Sequence, residues 1–311
     1  MKTILFTDTH FGVKNNSMTW WEHQKSFIYH QLIPFIQSQG RPIRLVHCGD
    51  VFDSRTSINT IILKNVRQAF IDLCDLVDEF IIVAGNHDFG LMTSDEYCTP
   101  ETILEGTNIQ VVSKEILTLG NDIFIPWYCM EGEDITGITA RYKGCRIFTH
   151  TDLVTTHPRC HCPVYSGHIH YPYFDHNINN LGSCYPLTFA DANQDRYFYE
   201  LNGNKLTHHK VTGVIQFHRL FNEEIKKTDI TSFGKHDYFE LYIKAKDLPL
   251  YTDTIRKYMG TFAHVGVIPQ PDNHPTTKGI NPGKLDIDGI ISNTIPPELR
   301  PILEEIKKVQ L

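Results

Sequence analysis

The sequence lacks any hydrophobic run long enough to cross a membrane, since a spanning helix needs about 20 consecutive apolar residues. It also lacks internal repeats and low-complexity segments. Positive charge is not in excess either, because the formal net charge is -7 over 311 residues. That balance argues against simple electrostatic binding of nucleic acid, although two divalent cations in one site would add about four positive charges locally. We therefore expect a globular protein with no membrane partner, large enough for one main domain and an appendage.

A secretory signal and an ATP-binding loop are also missing. The first residues, MKTILF, lead directly into a predicted strand, so we expect the eight cysteines to be mostly free thiols in a reducing, cytoplasmic compartment. Residues 279–285, GINPGKL, have three residues between the glycines and Leu where a phosphate loop needs Ser or Thr. Any ATP-driven step would therefore need a second subunit. The run HPRCHC at 157–162 lacks the looser cysteine spacing of a closed zinc site, so we favour a loop there.

What the sequence does contain is an alternation of short apolar runs with segments of helical periodicity. Strands are predicted at 3–7, 43–47 and 80–84, with helices at 20–39 and 59–77 between them. This β-α-β-α-β order predicts a parallel sheet with right-handed crossovers. A short helix is predicted at 100–105, and further strands are predicted at 109–112, 115–119, 122–126, 145–149, 164–165, 178–181 and 197–201.

Polar side chains follow five of these strands at the point where each strand ends. Because parallel strands present their carboxyl ends at one edge of a sheet, we expect these side chains to meet there. Carboxylate, amide and imidazole ligands suit manganese, iron, zinc or magnesium better than a metal that prefers thiolates. Residues i and i+2 of an extended chain point the same way, so each Asp-x-His or His-x-His pair can reach one ion. The five motifs are Asp8-x-His10, Gly49-Asp50, Gly85-Asn86-His87-Asp88, His150 and Gly167-His168-x-His170.

Together these motifs resemble the signature of the calcineurin-like metallophosphoesterases. Within that superfamily the chain is similar to the SbcD-type DNA-repair nucleases and, more narrowly, to the small subunits of phage recombination endonucleases. The similarity also rests on TDTHFGV at 7–13, GDVFD at 49–53, IPW at 125–127 and LGS at 181–183. It implies an α/β fold, specifically a four-layer α/β/β/α metallophosphoesterase sandwich. The implied units are this domain over 1–210, a small β-α-β capping domain that contacts DNA over 211–268, a linker over 269–285 and a partner-binding helical tail over 286–311.

The resemblance further implies two divalent metal ions, with manganese expected and magnesium, iron or zinc as alternatives. His87 would act as the catalytic acid or stabilise the transition state, and Asp88 would fix the tautomer of His87. Asp53 stands where many relatives carry a second catalytic histidine, which leaves a two-histidine mechanism in doubt for this chain. The implied ligands are Asp8, His10 and His170 for one ion, Asn86, His150 and His168 for the other, and Asp50 as the bridge.

The implied function is a manganese-dependent DNA nuclease, with exonuclease or endonuclease activity, in recombination, repair and replication. Its partner would be a coiled-coil SbcC-type ATPase, bound through the tail as a homodimer within a heterotetramer, in the host cytoplasm if the chain is phage-encoded. The tail carries Leu299, Ile302, Leu303 and Ile306 at the spacing of an amphipathic helix. The alternatives are a protein phosphatase or small-nucleotide phosphodiesterase, and a non-catalytic scaffold, which would be expected to lose metal ligands.

Three residues beside the metal motifs are candidates for substrate contacts. The alternative for each is an ordinary solvated side chain. Lys14 and Arg55 could contact phosphates, and Tyr171 could stack on a base.

Overall fold

The computed structural model describes residues 1–91, 94–130 and 132–271. Within these ranges, no helix combines the length and apolar character needed to span a bilayer. The strands are β1 (Lys2–Phe6), β2 (Ile43–His47), β3 (Glu79–Val83), β4 (Phe89–Leu91), β5 (Ser94–Cys98), β6 (Ile109–Val112), β7 (Leu117–Leu119), β8 (Asp122–Ile125), β9 (Arg146–His150), β10 (Val164–Gly167), β11 (Tyr173–Asp175), β12 (Ile178–Asn180), β13 (Tyr197–Asn202), β14 (Lys205–Lys210), β15 (Phe217–Phe221), β16 (Tyr238–Lys244) and β17 (His264–Gln270). The α-helices are α1 (Val13–Asn16), α2 (Met18–Phe27), α3 (Ile33–Gln37), α4 (Thr60–Cys74), α5 (Thr99–Ile103), α6 (Trp127–Met130), α7 (Ile135–Arg141), α8 (Glu223–Lys227) and α9 (Thr252–Thr261).

The first sheet has the order β14-β13-β1-β2-β3-β6. Its strands β1, β2, β3 and β6 are parallel, and β13 and β14 form an antiparallel hairpin beside β1. The β-α-β-α-β prediction is thus confirmed. Apolar residues stand on both faces of the central strands because both faces are covered.

The second sheet has the order β11-β12-β10-β9-β8-β7 and packs against the first. Strand alternation sends Leu5 of β1 and Val46 of β2 toward Phe124 and Phe148 of the second sheet, where all four are fully buried. Ile4, one position from Leu5, belongs instead to the core beneath the helices. The two sheets therefore enclose one core and each presents its other face to an outer layer.

Helices form the two outer layers, one on each sheet. Phe27 of α2 and Phe70 of α4 cover the first sheet, where they pack in one cluster with Phe6. Ile138 of α7 and Met130 of α6 cover the second sheet. This layer order confirms the α/β sandwich that was expected from the sequence.

The predicted helix over 20–39 is interrupted. It consists of α2, a π-helical turn at Ile28–Leu32, and α3. The Ile33 N–H donates to the carbonyl of Ile28, five residues back. Pro34 has no N–H to continue the usual ladder, which accounts for a wider turn directly before it.

The appendage is larger than the predicted β-α-β unit. Strands β15, β16 and β17 form a parallel three-stranded sheet, with α8 and α9 in the two connections. The prediction omitted β15, whose sequence FHRLF lacks a regular apolar and polar alternation. Strand β17 also extends through Gln270, so the predicted linker begins too early. The predicted tail over 286–311 and most of the linker lie outside the described residues.

Candidate metal centre

The loops at the carboxyl ends of β1, β2 and β10 turn sharply through left-handed backbone conformations. Asp8, His10, Asp50 and His168 have φ values of 50°, 40°, 54° and 84°. Residues other than glycine rarely adopt such angles, and each costs about 1–3 kcal/mol unless the surroundings enforce it. Four of the seven predicted ligands share this strain, so the fold holds their side chains in place before any ligand binds.

Glycines allow the loops of the two sheets to meet. A Cβ atom at Gly49 would collide with the ring of His150, and one at Gly85 would collide with the backbone nitrogen of Asp50. A Cβ at Gly167 would lie 2.6 Å from Oδ2 of Asp8. The glycines that precede the ligands in the sequence motifs are thus required by close packing between strand ends.

The first group of ligands consists of Asp8, His10 and His170, whose ligand atoms all lie within 4.8 Å of one another. Nε2 of His10 and Nε2 of His170 are each 3.9 Å from Oδ1 of Asp8. Both ring nitrogens of His10 are buried without a hydrogen-bond partner. An unpaired buried imidazole is costly, and a cation beside Nε2 would satisfy it.

The second group joins Asp8, Asp50 and His150, also within 4.8 Å. Nδ1–H of His150 donates to the carbonyl of Cys48 at 2.7 Å, which leaves Nε2 as a lone pair in the neutral ring. That Nε2 faces Oδ2 of Asp50 at 3.3 Å and Oδ1 of Asn86 at 3.2 Å. Three acceptors that face each other require a proton or a cation between them, so the donor set fits a divalent metal.

Asp50 links the two groups, and Asn86 joins His168 to the second. Oδ1 of Asn86 also lies 3.0 Å from Nδ1 of His168. Oδ2 of Asp50 is 3.6 Å from Nε2 of His10, in addition to its approach to His150. The structure therefore gathers all seven predicted ligands in one cluster with Asp50 between the groups, and their division between two ions remains a prediction.

The charges in this cluster shift the pKa values of its members. Burial raises the pKa of Asp50, but the neighbouring His150 and His10 rings lower it below its usual range. Burial lowers the pKa of His150, and the Asp50 carboxylate more than offsets this, raising it to about 9. Burial and the neighbouring imidazoles lower the pKa values of His168 and, despite Asp8, of His170. Without metal, the cluster thus holds protons that a cation would displace.

The resemblance assigned the orientation of His87 to Asp88, and the structure corrects this. Nδ1–H of His87 donates to the backbone carbonyl of Asp53 at 2.7 Å, which leaves Nε2 available toward the cleft. The Asp88 carboxylate is fully buried and accepts from the N–H groups of Gly85 and Val51, each at 2.9 Å. Asp88 therefore joins the loops after β2 and β3 and acts on the centre through the backbone.

The carboxylate of Asp53 lies beside His10, a member of the first group. Its Oδ1 is 3.4 Å from Nδ1 of His10. Burial raises the pKa of Asp53, but the contact with His10 lowers it overall. Asp53 is thus an ionised neighbour of one ligand and the backbone partner of His87.

The sequence analysis missed His47, the last residue of β2. It is fully buried, and burial lowers its pKa to about 3, so its ring is neutral. Nδ1 accepts from the N–H of Gly49 at 3.2 Å, and Nε2–H donates to Oγ1 of Thr9 at 2.9 Å. His47 therefore ties the loop of Asp8 to the loop of Asp50. The signal in the sequence is a histidine inside an otherwise apolar strand.

The cluster opens into a cleft of about 450 Å³. Of the predicted substrate contacts, the structure places Lys14 on the wall of this cleft. Arg55 instead lines a neighbouring pocket of about 300 Å³. Tyr171 is 43 % exposed on the loop after the His168-x-His170 pair and lies outside the set that lines the cleft.

No cysteine thiol belongs to either ligand group. All eight thiols are free, and four of the cysteines are buried. Among the described residues, the groups able to hold a metal are the two at this sheet edge. The run over 157–162 contributes to neither, in agreement with the predicted loop.

The fold and the cluster together define a metal-dependent phosphoesterase: a sandwich of two mixed sheets with histidine and carboxylate ligands at the strand ends. The sequence model of the calcineurin-like phosphoesterases matches residues 1–175, more than half of the chain. The chain belongs to this family, whose members hydrolyse phosphoesters with divalent metals. No curated protein matched the chain.

Proposed function

We propose that this protein is a manganese-dependent DNA nuclease that hydrolyses phosphodiester bonds at a two-metal centre. The observation that supports it most directly is the set of facing acceptors on Asp50, Asn86 and His150 beside the cleft. Two divalent cations held there would neutralise phosphate charge and supply an activated water.

The protein's first contribution would be to position the two metal ions. Asp8, His10 and His170 would hold one ion, and Asn86, His150 and His168 the other. His87 lines the same cleft with Nδ1 committed to Asp53, so its Nε2 is the atom that can deliver a proton to the leaving sugar oxygen.

A polynucleotide substrate is supported by the position of the appendage. Tyr238 of β16 stacks against Phe217 of β15 at 4.7 Å, and both rings lie within 6 Å of Nζ of Lys14, on the cleft wall. A small ester needs no second domain at the rim of its site. A protein phosphatase or small-nucleotide phosphodiesterase is the alternative on the same fold.

The partner we propose is a coiled-coil SbcC-type ATPase, bound through residues 286–311 by two copies of this chain. The chain offers no phosphate loop of its own, and the spacing of apolar residues at 299–306 supports a helix that docks in a groove. Co-purification with such an ATPase, lost when 286–311 are deleted, would support this assembly. Retention of the complex by the deletion variant would overturn it.

The nuclease assignment is tested with the purified chain, stripped of metal and reloaded with Mn²⁺, Mg²⁺ or Zn²⁺. Single-stranded DNA, linear duplex DNA and bis(p-nitrophenyl) phosphate are offered in parallel. We expect cleavage of DNA, fastest with Mn²⁺, and loss of all activity in Asp50→Asn. Hydrolysis of the small ester without any cleavage of DNA, alone or with the ATPase, would instead favour the phosphatase alternative.

A further inference from the structure

In the folded structure, Lys14 lies between the metal centre and the appendage. It is the only lysine or arginine among the described residues that line the metal cleft. Its side chain is exposed, and no carboxylate in the described part of the chain forms an ion pair with it. Its charge lowers the pKa of Asp53, but the two side chains form no ion pair, so the ammonium group in the wall of the proposed phosphate-binding cleft is available to an anionic ligand.

The backbone that carries Lys14 is strained and firmly held. Lys14, Asn15 and Asn16 have φ values of 55°, 55° and 61°, so the short element α1 is a left-handed turn without a glycine rather than a regular α-helix. Oδ1 of Asn16 accepts from the N–H of Asn59 at 2.8 Å, and this contact anchors the turn to the start of α4. Strain of this kind persists where the surroundings fix it, and it commonly marks a site where a side chain must be aimed.

Aromatic rings from both domains fix the direction of the Lys14 side chain. Nζ lies 6.0 Å from the ring centre of Trp20, 5.5 Å from Phe217 and 5.9 Å from Tyr238. The indole N–H of Trp20 donates to the hydroxyl of Tyr238 at 3.3 Å, so the rings hold one another. Each ring face attracts the ammonium group weakly, and together they hold it at the junction of the appendage and the cleft.

We propose that Lys14 binds a phosphate of the substrate strand next to the scissile one, and so favours a polynucleotide over a small phosphoester. The inference rests on the proposed nuclease function. The metals neutralise only the phosphate that reacts, whereas a strand in the cleft presents further phosphates that need a cation of the protein. A substrate with a single phosphate gains little from Lys14. The lysine therefore favours polynucleotides by strengthening their binding.

The test compares the full-length wild type with Lys14→Met, Lys14→Arg and Lys205→Met, each loaded with Mn²⁺. Methionine keeps an unbranched chain over the rings and removes the charge. Lys205 is exposed at the start of β14, opposite Asn202 and thus at the sheet end remote from the cluster, so its variant is the matched loss of one charge. Values of KM and kcat are measured on a DNA oligonucleotide and on bis(p-nitrophenyl) phosphate over a series of salt concentrations.

We expect Lys14→Met to lose about tenfold more kcat/KM on DNA than on the small ester, mainly through KM, because it lacks a charge-assisted contact. The slope of log KM against log salt should fall by about 1, since one phosphate contact is gone. Lys14→Arg should restore both quantities, and Lys205→Met should match the wild type.

Equal losses on both substrates, or an unchanged salt slope in Lys14→Met, would overturn the role of Lys14 while leaving the nuclease function standing. A wild-type protein that hydrolyses only the small ester would overturn the nuclease function and this inference with it.

Discussion

His87 is held at two points that do not involve Nε2. Its backbone N–H donates to Oδ1 of Asp50 at 2.8 Å, and its Nδ1–H donates to Asp53. His87→Ala keeps the backbone contact and removes the ring, so we expect retained metal and a kcat on DNA lower by about 10²–10⁴. Metal content by mass spectrometry and kcat on DNA together check this expectation.

The leaving group provides the control for an acid role of His87. p-Nitrophenolate departs without a proton, so the loss on bis(p-nitrophenyl) phosphate should be clearly smaller than on DNA. His161→Ala, at an exposed histidine of the outer layer, is the matched variant and should behave as wild type. Equal losses on the two substrates would contradict proton donation by His87.

The pH dependence of metal binding follows from His150. Its folded-state pKa of about 9 exceeds the usual value of about 6.5 because Asp50 lies 3.3 Å away. A metal must displace this proton, so we expect apparent affinity to rise by up to about tenfold per pH unit from about 7 to 9. Titration calorimetry in two buffers of different protonation enthalpy measures the proton released, and a pH-independent affinity would contradict the argument.

The same proton has the opposite effect on the metal-free protein. Because the folded-state pKa is raised, the stabilisation is complete below about pH 6.5 and is lost as the pH rises toward 9. The free energy of unfolding without metal should therefore fall over this interval, while metal affinity increases.

At the scale of single residues, the members of the cluster were predictable and their supports were not. Asp8 and Asn86 are visible in the sequence because a polar residue directly after an apolar run is conspicuous. The group that accepts the hydrogen bond from Nδ1–H of His87 is the backbone carbonyl of Asp53. Because every residue has a backbone carbonyl, the sequence does not indicate which one is used. Sequence alone therefore points to Asp88, the nearest acidic side chain, rather than to the group that makes the contact.

At the scale of elements, the close approach of the loops after β2 and β3 depends on Gly85. A Cβ there would meet Cγ of Asp50 at 3.0 Å and its backbone nitrogen at a still shorter distance. Gly85→Ala should thus push the loops after β2 and β3 apart, at a cost of about 1–3 kcal/mol. We expect metal affinity to fall about tenfold to a hundredfold, measured by calorimetry.

Gly137→Ala in α7 is the matched control for this steric argument. A Cβ at Gly137 meets nothing within 4 Å, and alanine suits a helix better than glycine. This variant should bind metal as wild type. Wild-type metal affinity in Gly85→Ala would show that the loops can yield without disturbing the ligands.

The elements that sequence reasoning missed have physical causes. The π-helical turn depends on one missing N–H at Pro34, which local periodicity does not register. The antiparallel pair of β4 and β5 begins directly after the Asn86-His87-Asp88 motif, so the polar residues of that motif obscure the first strand in the sequence. Strand β15 is only half-buried along most of its length, and its pattern is correspondingly weak.

At the scale of the whole molecule, the first sheet depends on residues beyond the family match. Thr3 of β1 pairs with Leu201 of β13, and β14 follows at the sheet edge. A chain that ends at residue 175 lacks both strands and exposes β1, so we expect it to show no cooperative thermal unfolding. A chain that ends at 210 keeps both sheets but loses Phe217 from the core, so it should unfold cooperatively at a lower Tm. Circular dichroism on the two truncations checks this, and a cooperative transition for 1–175 would contradict it.

The pairing of β1 with β13 also sets the order of events on the ribosome. Strand β1 cannot meet β13 until the roughly 190 residues between them have been made, which takes about 10–40 s at cellular rates. During that interval the nascent chain carries an open, apolar strand edge, the kind of surface that recruits other chains. We therefore expect recombinant yield to depend on what shields the edge of β1 during translation, and to rise more with a co-expressed holdase chaperone than with a stabilising substitution in the finished core.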